Sequence, residues 1–368
     1  MAPPRPRVHS LAIELTTECN QQCRHCYNQP RARSLTERAP GGSDEDPART
    51  VARVRRLLDA WQLERVTLPG GEPLGAAALW DVLALARDRG VPAQLISNGG
   101  LVTPRIAERL HALDVRAVQV TLNGPNAELH GEHTGDPRHF ELALGGVRTL
   151  AAHGIPVVGC IVVTHLNAAS IGATVELWRS LGVHQLALSR FSPAGRALAH
   201  AARLLPTRDD VIEAFGQARP YAAGLDMRIS STMPIPPCMM ETADVAPIGF
   251  GTCAIGTPLQ ELALGPDGSL RNCTLHRQAI GGVADVLDPA VDLAALLQAD
   301  EVTGYARRHP EFCAGCLHAL GCGGGCGAAA DSMLGGGPRR MPDPFLWQHI
   351  DDALARRLGR APATEEPP

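Results

Sequence analysis

The chain has 368 residues, of which 45% are hydrophobic and 20% charged, with a net charge of −4. Acidic and basic residues are mixed along it, which gives no support to a basic nucleic-acid-binding face. The N-terminal MAPPRPRVHSLAIEL has no long apolar run, so neither a signal peptide nor a membrane span is expected, and the cytoplasm is the expected compartment. There are 11 cysteines. All but Cys160 fall in two zones, Cys19–Cys26 and Cys238–Cys326. In a reducing compartment such grouping indicates metal or redox chemistry before disulfides.

In chain order, strand-like and helix-like segments alternate. HSLAIEL (9–15) reads as a strand. A loop rich in Arg, Gly and Asp follows, and then a helix over 48–61 with Val51, Val54, Leu57 and Leu58 at helical spacing. Strands are predicted at 64–68, 93–97, 117–122, 156–164 and 185–191, and helices at 75–90, 103–113, 138–154 and 170–182. Thr103 reads as a cap, with Pro104 in the first turn. Six β–α units in series predict an α/β fold with a parallel sheet, either partly closed into a barrel or doubly wound. In both, ligands bind at the C-terminal ends of the strands. A further helix is predicted at 208–219. From Met233 the texture becomes Gly- and Cys-rich to about residue 337, as in a small domain that depends on metals. One helix is expected at 347–359, and APATEEPP reads as disordered.

Cys19, Cys23 and Cys26 stand in a C-x3-C-x2-C loop just after the first strand. Three thiolates there can hold three irons of a [4Fe–4S] cluster and leave the fourth open. The alternative is a closed zinc site completed by His25 or another residue. ELTTECNQQCRHCYN (14–28) resembles the signature loop of radical S-adenosylmethionine (SAM) enzymes. The resemblance implies that the open iron chelates SAM, which is cleaved on reduction to methionine and a 5′-deoxyadenosyl radical. His25 falls where that family has an aromatic residue near the adenine. Gly70-Gly71-Glu72-Pro73, after strand two, resembles the GGEP motif that binds the SAM amino group, with Glu72 expected to accept from the ammonium. Ser97-Asn98-Gly99 resembles the segment near the SAM ribose, and Thr121-Leu122-Asn123-Gly124 resembles S-I-D-G, with Thr and Asn as departures. RFSPAGR (190–196) also looks familial.

In the second zone, Cys253-x14-Gly268-x4-Cys273 is followed by Cys313-x2-Cys316-x5-Cys322-x3-Cys326. This resembles the SPASM domain, an auxiliary iron–sulfur module of peptide- and protein-modifying radical SAM enzymes. Carried across, the resemblance implies one cluster on Cys238, Cys253, Cys273 and Cys326. It implies a second on Cys313, Cys316, Cys322 and a later cysteine. No cysteine follows Cys326, and Leu346 stands after Asp343-Pro344-Phe345 where one is expected. That second cluster is therefore expected to be open, to take Asp343 or His349, or not to assemble. A zinc ribbon would need two four-ligand sets, into which this spacing does not divide. Cys160 reads as a small buried hydrophobe, Asp267 as a turn residue, and His276 and His318 as surface histidines. GCGGGCG (321–327) imitates a nucleotide loop but lacks a following helical pattern.

The resemblance implies a partial (β/α)6 TIM-type barrel over 1–197, a helical bridge over 198–237, an auxiliary-cluster domain over 238–337, and a C-terminal helix and tail over 338–368. It implies oxidative modification of a ribosomally made peptide by hydrogen abstraction. The expected partners are that peptide, a separate leader-binding protein, and an electron donor such as flavodoxin or ferredoxin, with no nucleic acid and no membrane. No leader-binding domain of its own is expected, since the first barrel strand begins near residue 9. Rival readings are a maturase of the anaerobic sulfatase type, a small-molecule or cofactor-biosynthesis enzyme, and a non-catalytic iron–sulfur or zinc module. Intact GGEP and SNG segments argue against the last.

Overall fold

A computed structural model describes residues 5–28, 31–32, 46–336 and 339–350. Its centre is an eleven-stranded sheet. In chain order the strands are β1 (Arg7–Ile13), β2 (Gln62–Leu68), β3 (Ala93–Ser97), β4 (Ala117–Thr121), β5 (Val157–Val163) and β6 (Gln185–Arg190). Then follow β7 (Arg228–Ser231), β8 (Gly249–Phe250), β9 (Glu261–Leu264), β10 (Ser269–Arg271) and β11 (Ala279–Gly282). The spatial order is β8-β7-β6-β5-β4-β3-β2-β1-β9-β10-β11. Every neighbouring pair from β8 to β9 is parallel, and β10 and β11 add antiparallel strands beyond β9. This mostly parallel α/β sheet is the partial barrel, one of the two arrangements that the six predicted units allowed, with all six strands in adjacent places.

Local chemistry explains the helices between them. Helix Pro47–Ala60 starts on Asp46, which accepts from the Ala48 N–H, with Pro47 in its first turn. It buries Val54, Leu57 and Leu58. Helix Pro104–Ala112 is capped by Thr103, as predicted, through a bond from Ile106 N. Helix Ala127–Thr134 was not foreseen. It has Gly131 and two histidines in place of an apolar stripe, yet Asn126 caps it and Gly135, at φ +86°, ends it in the left-handed region.

The sheet continues past the six predicted strands. Arg228–Ser231 adds a strand within the stretch expected to be a helical bridge. On the other edge, β9 of the Cys-rich region pairs with β1, Ser10 opposite Glu261 and Ile13 opposite Leu264. Leu262, Leu264, Leu270, Val283, Phe345 and Leu346 share one hydrophobic core with Leu11, Val66 and Leu95 of the barrel. The Cys-rich region therefore does not need a core of its own. Residues 347–350 are helical, while the rest of the helix expected to 359, the tail and most of the loop after Asn28 lie outside the described residues. Among the described residues, no helix is long and apolar enough to cross a membrane.

Candidate functional site

A cavity of about 320 Å³ opens at the C-terminal ends of the barrel strands. Cys19, Cys23, His25 and Cys26 line it, with Gly70, Gly71, Ser97, Asn98 and Thr121. The loops after β1, β2, β3 and β4 thus converge, as their order in the sequence predicted. Two close approaches hold the cysteine loop. A Cβ on Gly71 would stand 1.9 Å from the Glu18 carbonyl oxygen, and one on Gly195 2.1 Å from that of Tyr27. Only glycine lets backbone approach backbone so closely. The Gly71 and Glu72 N–H groups donate to the Thr16 and Glu18 carbonyls.

Burial raises all three thiol pKa values, that of Cys19 to about 12. Three enclosed thiolates are unstable without positive charge beside them. The Gln21 side-chain nitrogen is buried, lines the same cavity and has no hydrogen-bond partner. An enclosed thiol trio next to an unused donor and a glycine-walled cavity fits a metal cluster with a polar ligand above it. A single zinc ion takes a closed set of four donors; the loop supplies three cysteines, and the His25 ring lies against the Asn123 amide.

Glu72 and Pro73 do not line the cavity. The Glu72 carboxylate is buried and turned into the protein, where it accepts from Leu74 N at 3.1 Å, Ser97 Oγ at 2.8 Å and Asn98 N at 2.9 Å. Burial pushes its pKa up to about 7 against these three bonds. Glu72, expected from its motif to accept from a ligand ammonium, accepts three bonds from the protein itself in the structure and ties the GGEP turn to the SNG turn. Asn98 reaches back, donating to Asn20 at 2.7 Å and lying 3.8 Å from the Cys19 sulfur. His25 is held neutral, its pKa lowered to about 3 by loss of solvent and then by His133 and His130. Its ring lies 3.4 Å from the Asn123 amide. Cys160 is buried as expected and also faces the cavity.

The cavity wall includes Arg190 of the RFSPAGR segment and residues that motif reading missed: Gln119, Thr232, Met233, Glu261 and Thr274. Gln119 belongs to a recognised strand, and alternation along that strand could have put it inside. Glu261 and Thr274 come from the Cys-rich region and reach the cavity only because β9 joins the sheet.

Of the auxiliary cysteines, two share one packed cluster. Cys273 and Cys326 pack in one small apolar cluster with Met233, Leu275 and Tyr305. Cys326 and then Cys253 act electrostatically on Cys273, whose pKa burial pushes up to about 12. Cys238 is not among these neighbours. Although it is exposed, packing around its sulfur, and then the thiols of Cys322, Cys313 and Cys316, push its pKa up to about 11. His276 is also not at the surface. It is buried, stacked on Tyr305 at 3.6 Å and 3.3 Å from Asp331. His318 is exposed, and Asp267 serves its turn by accepting from Ser269. Asp343 and Leu346 are both buried, the first in an ion pair with Arg190 at 2.6 Å.

Residues 13–177 match the radical SAM superfamily model. The AdoMet-dependent heme synthase of Methanosarcina barkeri is 32% identical over 196 residues, 52% of this chain and 52% of that protein, so the chain spans about half the length of that relative in the match. Mycofactocin maturase MftC of Mycobacterium tuberculosis is 28% identical over 360 residues, 94% of this chain and 85% of that protein. Among solved structures, Streptococcus suis SuiB bound to precursor peptide SuiA superposes with a TM-score of 0.67 at 14% identity, covering 92% of this chain and 76% of that one. The family match covers the three-cysteine loop and the turns that face it across the cavity, and residues 13–177 form a radical SAM domain.

Proposed function

We propose that the chain is a radical SAM enzyme that oxidatively modifies a ribosomally made peptide. The observation that carries this is one cavity shared by the cysteine loop, the GGEP and SNG turns, and Thr274 and Leu275 beside the auxiliary cysteine Cys273. Similarity along 94% of the chain to a mycofactocin maturase, and a fold shared with SuiB, which was solved bound to precursor peptide SuiA, support the substrate class. Cys19, Cys23 and Cys26 would hold a [4Fe–4S] cluster, and Gly70, Gly71, Ser97, Asn98, Thr121 and His25 would surround SAM. Together those groups, when bound, supply one-electron chemistry that takes hydrogen from a substrate carbon. The protein's part is to position and enclose. Gly70 and Gly71 present backbone to the ligand, Glu72 fixes the two turns, and neutral His25 offers an uncharged ring beside the cysteine loop. Apolar walls at Ile96, Val162 and Phe191 help to exclude water. The remaining cysteines would carry auxiliary clusters, and an external electron donor would act with the chain.

The test uses anaerobically reconstituted protein with SAM, a strong reductant and the short peptides encoded beside its gene. Formation of 5′-deoxyadenosine and a change in peptide mass are expected. Replacing Cys19, Cys23 and Cys26 together by Ala should abolish both. Undiminished 5′-deoxyadenosine from the triple variant would remove the cysteine loop from the site. SAM cleavage coupled to a small molecule, with every such peptide unchanged, would overturn the peptide assignment.

A further inference from the structure

We propose that the floor of the cavity, built around the Glu261 carboxylate, is a subsite for a cationic group of the substrate, an ammonium or a guanidinium, and that Glu261 selects it. The inference rests on the reading that the substrate enters this cavity.

The rim and the floor come from different parts of the fold. The cysteine loop, Gly70, Gly71 and Asn98 lie beyond the ends of the strands, whereas Thr67, Ile96, Gln119, Cys160 and Glu261 lie within β2, β3, β4, β5 and β9. Side chains alternate across a strand, and the register puts this second group on one inner face. Ser10 stands level with both Glu261 and Arg65, Ala12 with Thr67, and Ile96 with Gln119.

Two hydroxyls set the direction of the carboxylate. Its Oε2 accepts from Ser10 Oγ at 2.7 Å and from Thr67 Oγ1 at 3.1 Å. Ser10 is level with Glu261, but Thr67 stands further along its strand, toward the C-terminal ends where the cysteine loop lies. A carboxylate held by both is tipped upward from its own level, into the cavity it lines. Among the described residues, its other oxygen accepts no hydrogen bond.

The charge is also unmatched. Among the described residues, no ion pair includes Glu261. Arg65, the cation level with it, donates to Ser10 Oγ at 3.4 Å and lies outside the cavity wall. Arg190 does line the cavity, but Asp343 holds it at 2.6 Å, with both side chains at 0% exposure. His25, the lining imidazole, is held neutral. A carboxylate drawn into a protein without a counter-charge is costly, and a ligand cation removes that cost through charge-assisted hydrogen bonds. The groups beside it, the hydroxyls of Thr67 and Thr232 and the amide of Gln119, are polar and carry no charge.

The experiment uses the whole chain, reconstituted anaerobically with iron, sulfide and SAM but given no reductant, so that binding is read without turnover. The probes are acetylated, amidated glycine peptides with one central lysine, arginine, norleucine or glutamate, and the pair pentylammonium and 1-pentanol. Each is titrated by calorimetry. The unaltered chain should bind the lysine or the arginine peptide about tenfold or more tighter than the norleucine peptide, and the glutamate peptide weakest. Glu261→Gln should remove that preference and Glu261→Lys turn it toward glutamate, with iron per chain and far-UV circular dichroism checked for both. The comparison on the unaltered chain needs no variant, so it decides even where a variant fails to fold. Equal binding of all the probes, or binding of none, overturns the subsite. So does a preference for cations that survives Glu261→Gln in a folded chain. Loss of SAM affinity in Glu261→Gln, with the peptide preference intact, would set the carboxylate against SAM and overturn it too. Glu261-dependent binding of pentylammonium with no peptide bound keeps the subsite and counts against the peptide reading, which the 5′-deoxyadenosine and peptide-mass assay tests separately.

Discussion

Glu72 is the residue whose role sequence and structure describe most differently. A carboxylate next to two glycines suggests a partner for a ligand ammonium, but here it accepts three hydrogen bonds from Leu74, Ser97 and Asn98. Glu72→Gln replaces an acceptor by a donor facing one of these groups. Bonds to a charged acceptor contribute about 1.5–3 kcal/mol each. SAM affinity is therefore expected to fall roughly tenfold or more, with Ser97→Ala giving a smaller loss in the same direction. Equilibrium SAM binding to the cluster-loaded protein measures both, and unchanged affinity in Glu72→Gln would show that the tie between the turns is dispensable. Gly71→Ala tests the backbone approach on the other side. Its methyl would overlap the Glu18 carbonyl at 1.9 Å, so the cysteine loop must move, and iron bound per chain should drop. GGEP as a motif was legible in the sequence, whereas the direction of its side chain was not, because that depends on the strand standing next to it.

Among the elements, the helix Ala127–Thr134 and the glycine run 323–325 were not assigned by pattern. The helix lacks an apolar stripe because its inner face carries His130 and His133, both buried. His133 bridges the Leu129 carbonyl and the Thr164 hydroxyl. Periodicity counts apolar residues and so passes over a face buried through hydrogen bonds. The glycine run resembled a nucleotide loop, but each residue is left-handed, and a Cβ on Gly324 or Gly325 would stand 2.6 Å from Pro310 or Asp343. Gly325→Ala would put its methyl 2.6 Å from the Asp343 side chain and add about 1–2 kcal/mol of left-handed strain. Loss of auxiliary iron with retained far-UV circular dichroism is the expected result. Full iron content would mean that the turn tolerates a side chain.

For the whole molecule, the Arg190–Asp343 pair joins the end of the barrel to the auxiliary cysteine loops, with both side chains at 0% exposure. Asp343→Ala leaves the guanidinium buried without its partner, a change that typically costs about 3–5 kcal/mol. The midpoint of chemical unfolding should fall accordingly, and Arg190→Met together with Asp343→Leu should recover much of it, since both charges are then gone. A double variant no better than Asp343→Ala alone would show that the pair's carbonyl contacts to Phe191 and Pro234 matter more than its charges. Phe345, stacked 4.6 Å from the guanidinium carbon, adds to the same junction.

From sequence alone, the six barrel strands, the positions of the cysteine loop and of the GGEP, SNG and TLNG turns, and the class of chemistry were readable. Each is encoded locally: alternation of apolar residues gives the strands, and fixed spacing gives the motifs. Tertiary structure decided the rest. The pairing of β9 with β1 draws Glu261 and Thr274 into the cavity across some 250 residues of chain. Burial turns Glu72 inward and brings His276 under Tyr305. Spacing in sequence shows how far apart two thiols can reach, but only packing decides which of several reachable partners each one faces.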